Sequence, residues 1–216
     1  MLRFRVFTRL PLLLLLTVVV CGCTGPALTV MYLLGAMDIP AQYKGLKGKK
    51  VAIVCRPIAS TQYQNPNVAH EIARQVGRLI KRHVSKVEIV DYRKVADWTD
   101  NNNWEEFVDI GDALEVDRVI GIDLESFNIF QGQTLYQGRA NCIVKVYDCT
   151  IEDVEPVFEK VLPPIVYPPN TGIPTSEKTE SRFQLEFIGI ISSQIARLFY
   201  NHDPHSDFAL DSVAFD

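Results

Sequence analysis

Cysteine is scarce in this sequence: five among 216 residues, none of them in a C-x-x-C pair. That excludes a disulfide-dense small scaffold and the commonest zinc and redox signatures. Positive charge is not in excess either. Against 26 Asp and Glu stand 22 Lys and Arg, a formal net charge of −4, so the chain lacks the basic balance that nucleic-acid phosphates call for. The G-x-S-x-G, P-loop and H-E-x-x-H patterns are missing, and with them the enzyme classes those motifs mark. There is no internal repeat. What is present is ordinary for a globular protein, with 47% hydrophobic and 22% charged residues, and suffices for one sizeable core.

The charge is unevenly spread. Of the 22 Lys and Arg, three (Arg3, Arg5 and Arg9) lie before Cys23 with no acid among them, so the chain from Cys23 on carries 19 against 26 Asp and Glu, or −7. The basic start, the apolar run Leu10–Val20 and the small residues after it are the parts of a secretory signal. Val20-Cys21-Gly22-Cys23 resembles the lipobox of bacterial lipoproteins, which implies lipidation of Cys23 as the mature first residue. Thr24 after it, in place of Asp, implies outer-membrane sorting facing the periplasm. The competing reading is a single membrane-spanning helix over Leu10–Met37, interrupted by Pro11, Gly22, Gly25 and Pro26. Both place the acidic domain outside the cytoplasm and hold it at a membrane.

The chain divides into a signal peptide (1–22), a lipid-anchored tether (23–48), an α/β domain (49–201) and an acidic tail (202–216). Ile39–Lys50 reads as a polar, basic linker. Val51–Cys55 is a short continuous apolar run, the mark of a strand buried on both faces. Asn65-Pro66 reads as a helix start, after which Ala69, Ile72, Ala73, Val76, Leu79, Ile80 and Val84 recur at helical spacing. Arg74, Arg78, Lys81 and Arg82 fall on the other side. Val87–Val90 is a second strand, and a helix capped by Asn103 comes next, with Glu105 and Glu106 in its first turn. In a third strand, Val119–Leu124, Ile120, Ile122 and Leu124 share one face. Phe127–Thr134 reads as a turn. The next strand carries Tyr136, Ala140, Cys142, Val144 and Val146 inward and Gln137, Arg139, Asn141 and Lys145 outward. Val157–Val166 is a strand limited by Pro163-Pro164, then comes a stiff loop with Pro168, Pro169 and Pro174, and a last helix over Glu180–Asn201. The order β-α-β-α-β-β-β-α predicts an α/β (α+β) fold, a single mixed sheet packed with helices.

Lys49–Asp148 resembles the periplasmic α/β domain shared by the TolB N-terminal domain, LpoB and CsgG. The resemblance is carried by Lys50–Val54, by Ile110–Gly121 (a helix end running into an apolar strand that closes on Gly) and by Gln137–Asp148. It implies a scaffold or partner-binding domain in the envelope, and brings no catalytic residues.

The chemistry-bearing residues are few. His202, His205, Asp203 and Asp207 form a possible metal set, more simply a solvated tail. His70-Glu71 opens a helix. Asp123 and Glu125 share a strand face, which suits paired carboxylates or plain solvation. Arg56 begins a loop at a strand's carboxyl end, where α/β folds often bind anions. Tyr63, Tyr92, Trp98 and Trp104 are candidate contact residues. Cys142 and Cys149, seven apart, point to opposite faces of one strand and cannot pair; a bridge from Cys55 to one of them, or three free thiols, both remain open. The expectation is therefore a lipid-anchored, non-catalytic envelope protein with no cofactor and no metal. It binds another protein, with Arg56, Arg74, Arg78 and Arg82 as the candidate patch. A ligand-binding module and an envelope hydrolase are the alternatives.

Overall fold

A computed structural model describes residues 38–57, 67–151 and 155–204. The leader, Cys23 and the tail beyond Pro204 lie outside these residues, as does the Asn65-Pro66 helix start. The first strand, β1 (Lys50–Pro57), is followed by helix α1 (Val68–His83), β2 (Glu88–Ile89), α2 (Tyr92–Asn101) and α3 (Phe107–Leu114). Two 14-residue strands come next, β3 (Arg118–Gln131) and β4 (Leu135–Asp148). The short strands β5 (Phe158–Val161), β6 (Ile165–Tyr167) and β7 (Ile173–Pro174) lead into α4 (Glu180–Ala196) and a 3-10 turn at Arg197–Phe199. One seven-stranded mixed sheet runs β2-β1-β3-β4-β5, with β6 and β7 also on the outer edge of β4. Among the described residues the fold is a mixed α+β architecture of one curled sheet packed against four helices.

β1 pairs in parallel with β2 on one side and β3 on the other, so helices must cross over both faces. That explains its continuous apolar run. Val51 and Ile53 enter a large core under α1 and α4, while Ala52 and Val54 enter a smaller one under α2 and α3. The α1 stripe reads as expected, with Ala69, Ile72, Ala73, Val76 and Ile80 buried. From α4, Phe183, Phe187, Ile191 and Ile195 meet Ile120, Ile122, Leu124, Val144 and Val146 of the sheet.

Several sequence expectations are corrected. α2 was not anticipated; Asp91 caps it, its carboxylate accepting the Arg93 N–H at 2.9 Å. α3 starts at Phe107, not after Asn103, because Glu106 and Asp109 form a reciprocal capping box. The expected turn at Phe127–Thr134 is mostly strand. Phe127 and Ile129 are buried in the large core, and the chain reverses only around Gly132, whose φ is +68°. Two register shifts, at Leu124/Ser126 and Asn128/Phe130, keep β3 paired with β4 along this length. The strand expected over Val157–Val166 is split by Pro163-Pro164 into β5 and β6, since neither proline can donate to the ladder. Pro174 of the expected loop stands in β7, at the sheet edge.

Gln137 is 4% exposed, not outward in solvent. Its amide N–H donates to the Pro168 carbonyl at 3.1 Å and its Oε1 accepts from Arg139 at 2.7 Å, which makes burial tolerable. Nor is the segment before β1 a solvated linker. The backbone N–H groups of Gln42 and Tyr43 both donate to the Leu198 carbonyl, Leu46 is 1% exposed, and the Tyr43 ring packs on Phe158 and Phe199. The compact unit accordingly begins at Pro40.

Candidate functional site

The four arginines proposed as one patch do not share one place: Arg74 and Arg78 line a groove that neither Arg56 nor Arg82 lines. Arg56 lies opposite Asp123 in the β1–β3 register, and its guanidinium contacts the Asp123 Oδ1 at 2.8 and 2.9 Å. It also donates to the Glu105 carbonyl at 2.9 Å and lies 4.6 Å from the centre of the Phe107 ring. Lys145 on β4 reaches the other oxygen of Asp123 at 3.1 Å. Burial opposes the charge on Lys145, but the hydrogen bond and charge of Asp123 outweigh it and raise its pKa. Asp123 is thus engaged by two cations. Glu125 sits at the β3 register shift and is exposed, so the two carboxylates do not form an acid–base pair.

Arg74 and Arg78 instead line a groove of about 470 Å³ between α1 and the start of α2. Lys81 extends the row on α1, and Arg93 supplies a cation from the opposite wall, next to Asp91 and Tyr92. The floor is apolar: Ile53, Ala73, Ile89 and Val90, with Gly77 admitting α1 to within contact of Ile53 and Ile89. Arg74 is held by Glu71, which also accepts from Gln75 at 2.7 Å. Burial disfavours ionised Glu71, but these hydrogen bonds and the Arg74 and Arg78 charges outweigh it and lower its pKa. An adjoining cavity of about 380 Å³ between α1 and α4 shares Arg74 and Tyr92 and is bordered by Leu185, 55% exposed.

Arg82 does not line the groove. Lys81 was visible on the α1 face; Arg93 was not, because the sequence pattern places no element between Val90 and the helix capped by Asn103. Its only signal was Asp91 two residues ahead, an N-cap type of residue.

The remaining candidates do not converge. His70 lies 3.8 Å from Asp100 and does not share a partner with Glu71. The Nδ1 of His202 is 3.3 Å from the Tyr200 carbonyl oxygen; His205 and Asp207 lie outside the described residues. Among those residues no three metal-ligating side chains cluster. Trp104 is half-buried against Phe107. Tyr63 lies outside the described residues, as does Leu10–Met37. No described helix is long and apolar enough to cross a membrane.

Cys55, Cys142 and Cys149 are free. Burial, then Cys142 and Asp123, push the Cys55 thiol well above its ordinary pKa. Burial, then Glu125, raise Cys142 to about 12, and burial with Asp112 and Asp148 raises Cys149 to about 11. Because the thiolate is the nucleophile, all three should resist iodoacetamide at neutral pH in the folded protein and react in denaturant. Peptide mass mapping checks this; rapid alkylation of any of the three in the native protein contradicts it.

No family model and no curated protein matches the chain. Solved structures do. A PelC dodecamer from Paraburkholderia phytofirmans is 10% identical at TM-score 0.44, over 74% of this chain and 93% of that one. The hypothetical protein CT253 from Chlamydia trachomatis is 14% identical at TM-score 0.41, over 70% and 92%. Lipoprotein GNA1162 from Neisseria meningitidis is 9% identical at TM-score 0.42, over 68% and 97%. Bacterial lipoproteins are therefore among the similar structures. At such identities, and with TM-scores below 0.5, the likeness decides neither activity nor partner.

Proposed function

We propose that the protein is a lipid-anchored, non-catalytic component of the cell envelope whose α/β domain binds a partner protein at the α1–α2 groove. The observation that carries the binding role is the groove itself. From Cys23 on the chain bears −7, yet among the described residues four cations line this one depression, against Asp91 in its wall and Glu71 paired with Arg74. Such a concentration of charge opposed to the net sign favours recognition over solvation. The anchoring role rests on Val20-Cys21-Gly22-Cys23 and the basic, apolar leader before it, and Thr24 favours delivery to the outer membrane. The resemblance of Lys49–Asp148 to the TolB, LpoB and CsgG domain supports a scaffold in envelope assembly or secretion.

Metabolic palmitate labelling tests the anchor: wild type should label and Cys23→Ala should lose the label. Equal labelling of the two would return the leader to the membrane-spanning reading. A photo-crosslinking residue placed at Arg78 in intact cells should capture one defined envelope protein, and the same group at Lys94 should not. Identical capture patterns from the two positions would sink the groove assignment.

A further inference from the structure

We infer that the groove receives an extended acidic segment of the partner protein, added as a strand beside β2. This rests on reading the domain as a partner-binding module, and names the chemistry of what it binds. Among the described residues, β2 ends the sheet on that side. The N–H groups of Glu88 and Val90 are spent on the Lys49 and Val51 carbonyls, at 2.9 and 3.0 Å. Strand alternation therefore turns the N–H and C=O of Ile89 away from β1, toward the groove that Ile89 lines. Those are the backbone groups an incoming strand needs.

The walls match the side chains of such a strand. α1 covers one face of the sheet and α2 the other, so a chain lying along β2 runs between them. Its successive side chains point alternately toward α1, where Arg74, Arg78 and Lys81 stand, and toward α2, where Arg93 stands. Residues two apart in a strand are separated by roughly 6.7 Å. Arg74 and Arg78, four apart on a helix, are offset by about 6 Å along its axis. Acids at alternate positions thus meet Arg78 and Arg74, the latter shared with Glu71, while the apolar floor accepts the aliphatic parts of the chain. A lone phosphate or a lipid headgroup would engage the cations but leave the Ile89 backbone groups without a strand.

The full-length chain in non-ionic detergent is titrated with a fluorescein-labelled peptide of four Asp-Val repeats, and with its Asn-Val counterpart. The Asp peptide should bind at least about tenfold more tightly than the Asn peptide, and progressively less as salt is raised. The double variant Arg78→Glu, Lys81→Glu should weaken it about tenfold or more, whereas Arg82→Glu, outside the groove, should not. Hydrogen exchange at the Ile89 amide should slow when the peptide is bound. Unchanged exchange at Ile89, equal binding by the charge-reversed double variant, or no binding of the Asp peptide overturns the proposal. So does displacement of the peptide by dihexanoyl phosphatidylglycerol or inorganic phosphate at matched charge, which would mark a simple anion site. The titration does not involve Cys23, so failure of the palmitate experiment leaves it standing, and its own failure leaves the anchor untouched.

Discussion

Gly138→Val should abolish the cooperative folding of the domain. A Cβ at Gly138 would lie 2.5–2.6 Å from three carbons of the Phe187 ring, closer than carbon atoms pack. Phe187 cannot retreat: it is 0% exposed, and its ring packs against Phe127 at 5.5 Å. Nor can β4 move away, because Gly138 is in register with Tyr167 of β6 while Arg139 beside it is paired with Asn128 of β3. Overpacking of a well-filled core costs about 1–3 kcal/mol for small additions. Gly138→Ala should fall at the upper end of that range. The two further methyl groups of Val should exceed it, against a total stability of about 5–15 kcal/mol for a domain. Denaturant unfolding measures both, as a lowered midpoint for Gly138→Ala and the loss of the cooperative transition for Gly138→Val. The steric cause is isolated by Gly138→Ala with Phe187→Leu, which should recover part of the loss despite removing ring carbons. Strictly additive penalties would mean that the contact is not the cause.

Phe107→Ala should lower stability by about 3–5 kcal/mol, the range for deleting a buried aromatic ring. Phe107 is 1% exposed and central to the smaller core, with the Trp104 and Tyr147 ring centres 5.6 and 5.7 Å away. Its ring also fills the space left by the absent side chain of Gly121, where a Cβ would lie 2.8 Å from it. Losing the ring removes the face beneath the Arg56 guanidinium as well. Trp104 fluorescence should shift to the red on the same substitution, before global unfolding. A cost below about 1 kcal/mol with unchanged fluorescence would mean that the smaller core closes over the gap.

These two contacts also show what a sequence can carry. Gly121 was visible as a glycine within an apolar strand, yet its reason is Phe107, fourteen residues earlier and on another element. Gly138 stood in a strand with nothing beside it to suggest Phe187 of α4. The Val51–Val54 run and the α1 stripe were legible because burial on two faces, or on one, imposes a pattern on neighbouring residues. Tyr92–Asn101 escaped because Val95 is its one fully buried residue, too few to set a period. Of the short strands, β5 and β6 fall within the strand expected over Val157–Val166, but their division and β7 escaped for a related reason: two to four residues each are held by pairing to β4, which local pattern does not encode.

The groove divides in the same way. The cationic row Arg74, Arg78 and Lys81 was visible as one side of a helix, and a basic face was the correct observation. Grouping Arg56 with it was not, because a helix face is local whereas the place of a strand end is set by the register of β1 against β3. Arg93, the apolar floor and β2, the last strand on that side among the described residues, meet that row only through the crossover that lays β2 beside β1 and starts α2 there. From the chain alone came the basic, apolar N-terminal segment before Cys23, the acidic balance of the residues from there on, and a mixed sheet with helices, each written in neighbouring residues or in composition. Tertiary structure alone decided which cations share a groove, which carboxylate is held by two cations, and where the sheet ends among the described residues, since those depend on strand order and register across long separations.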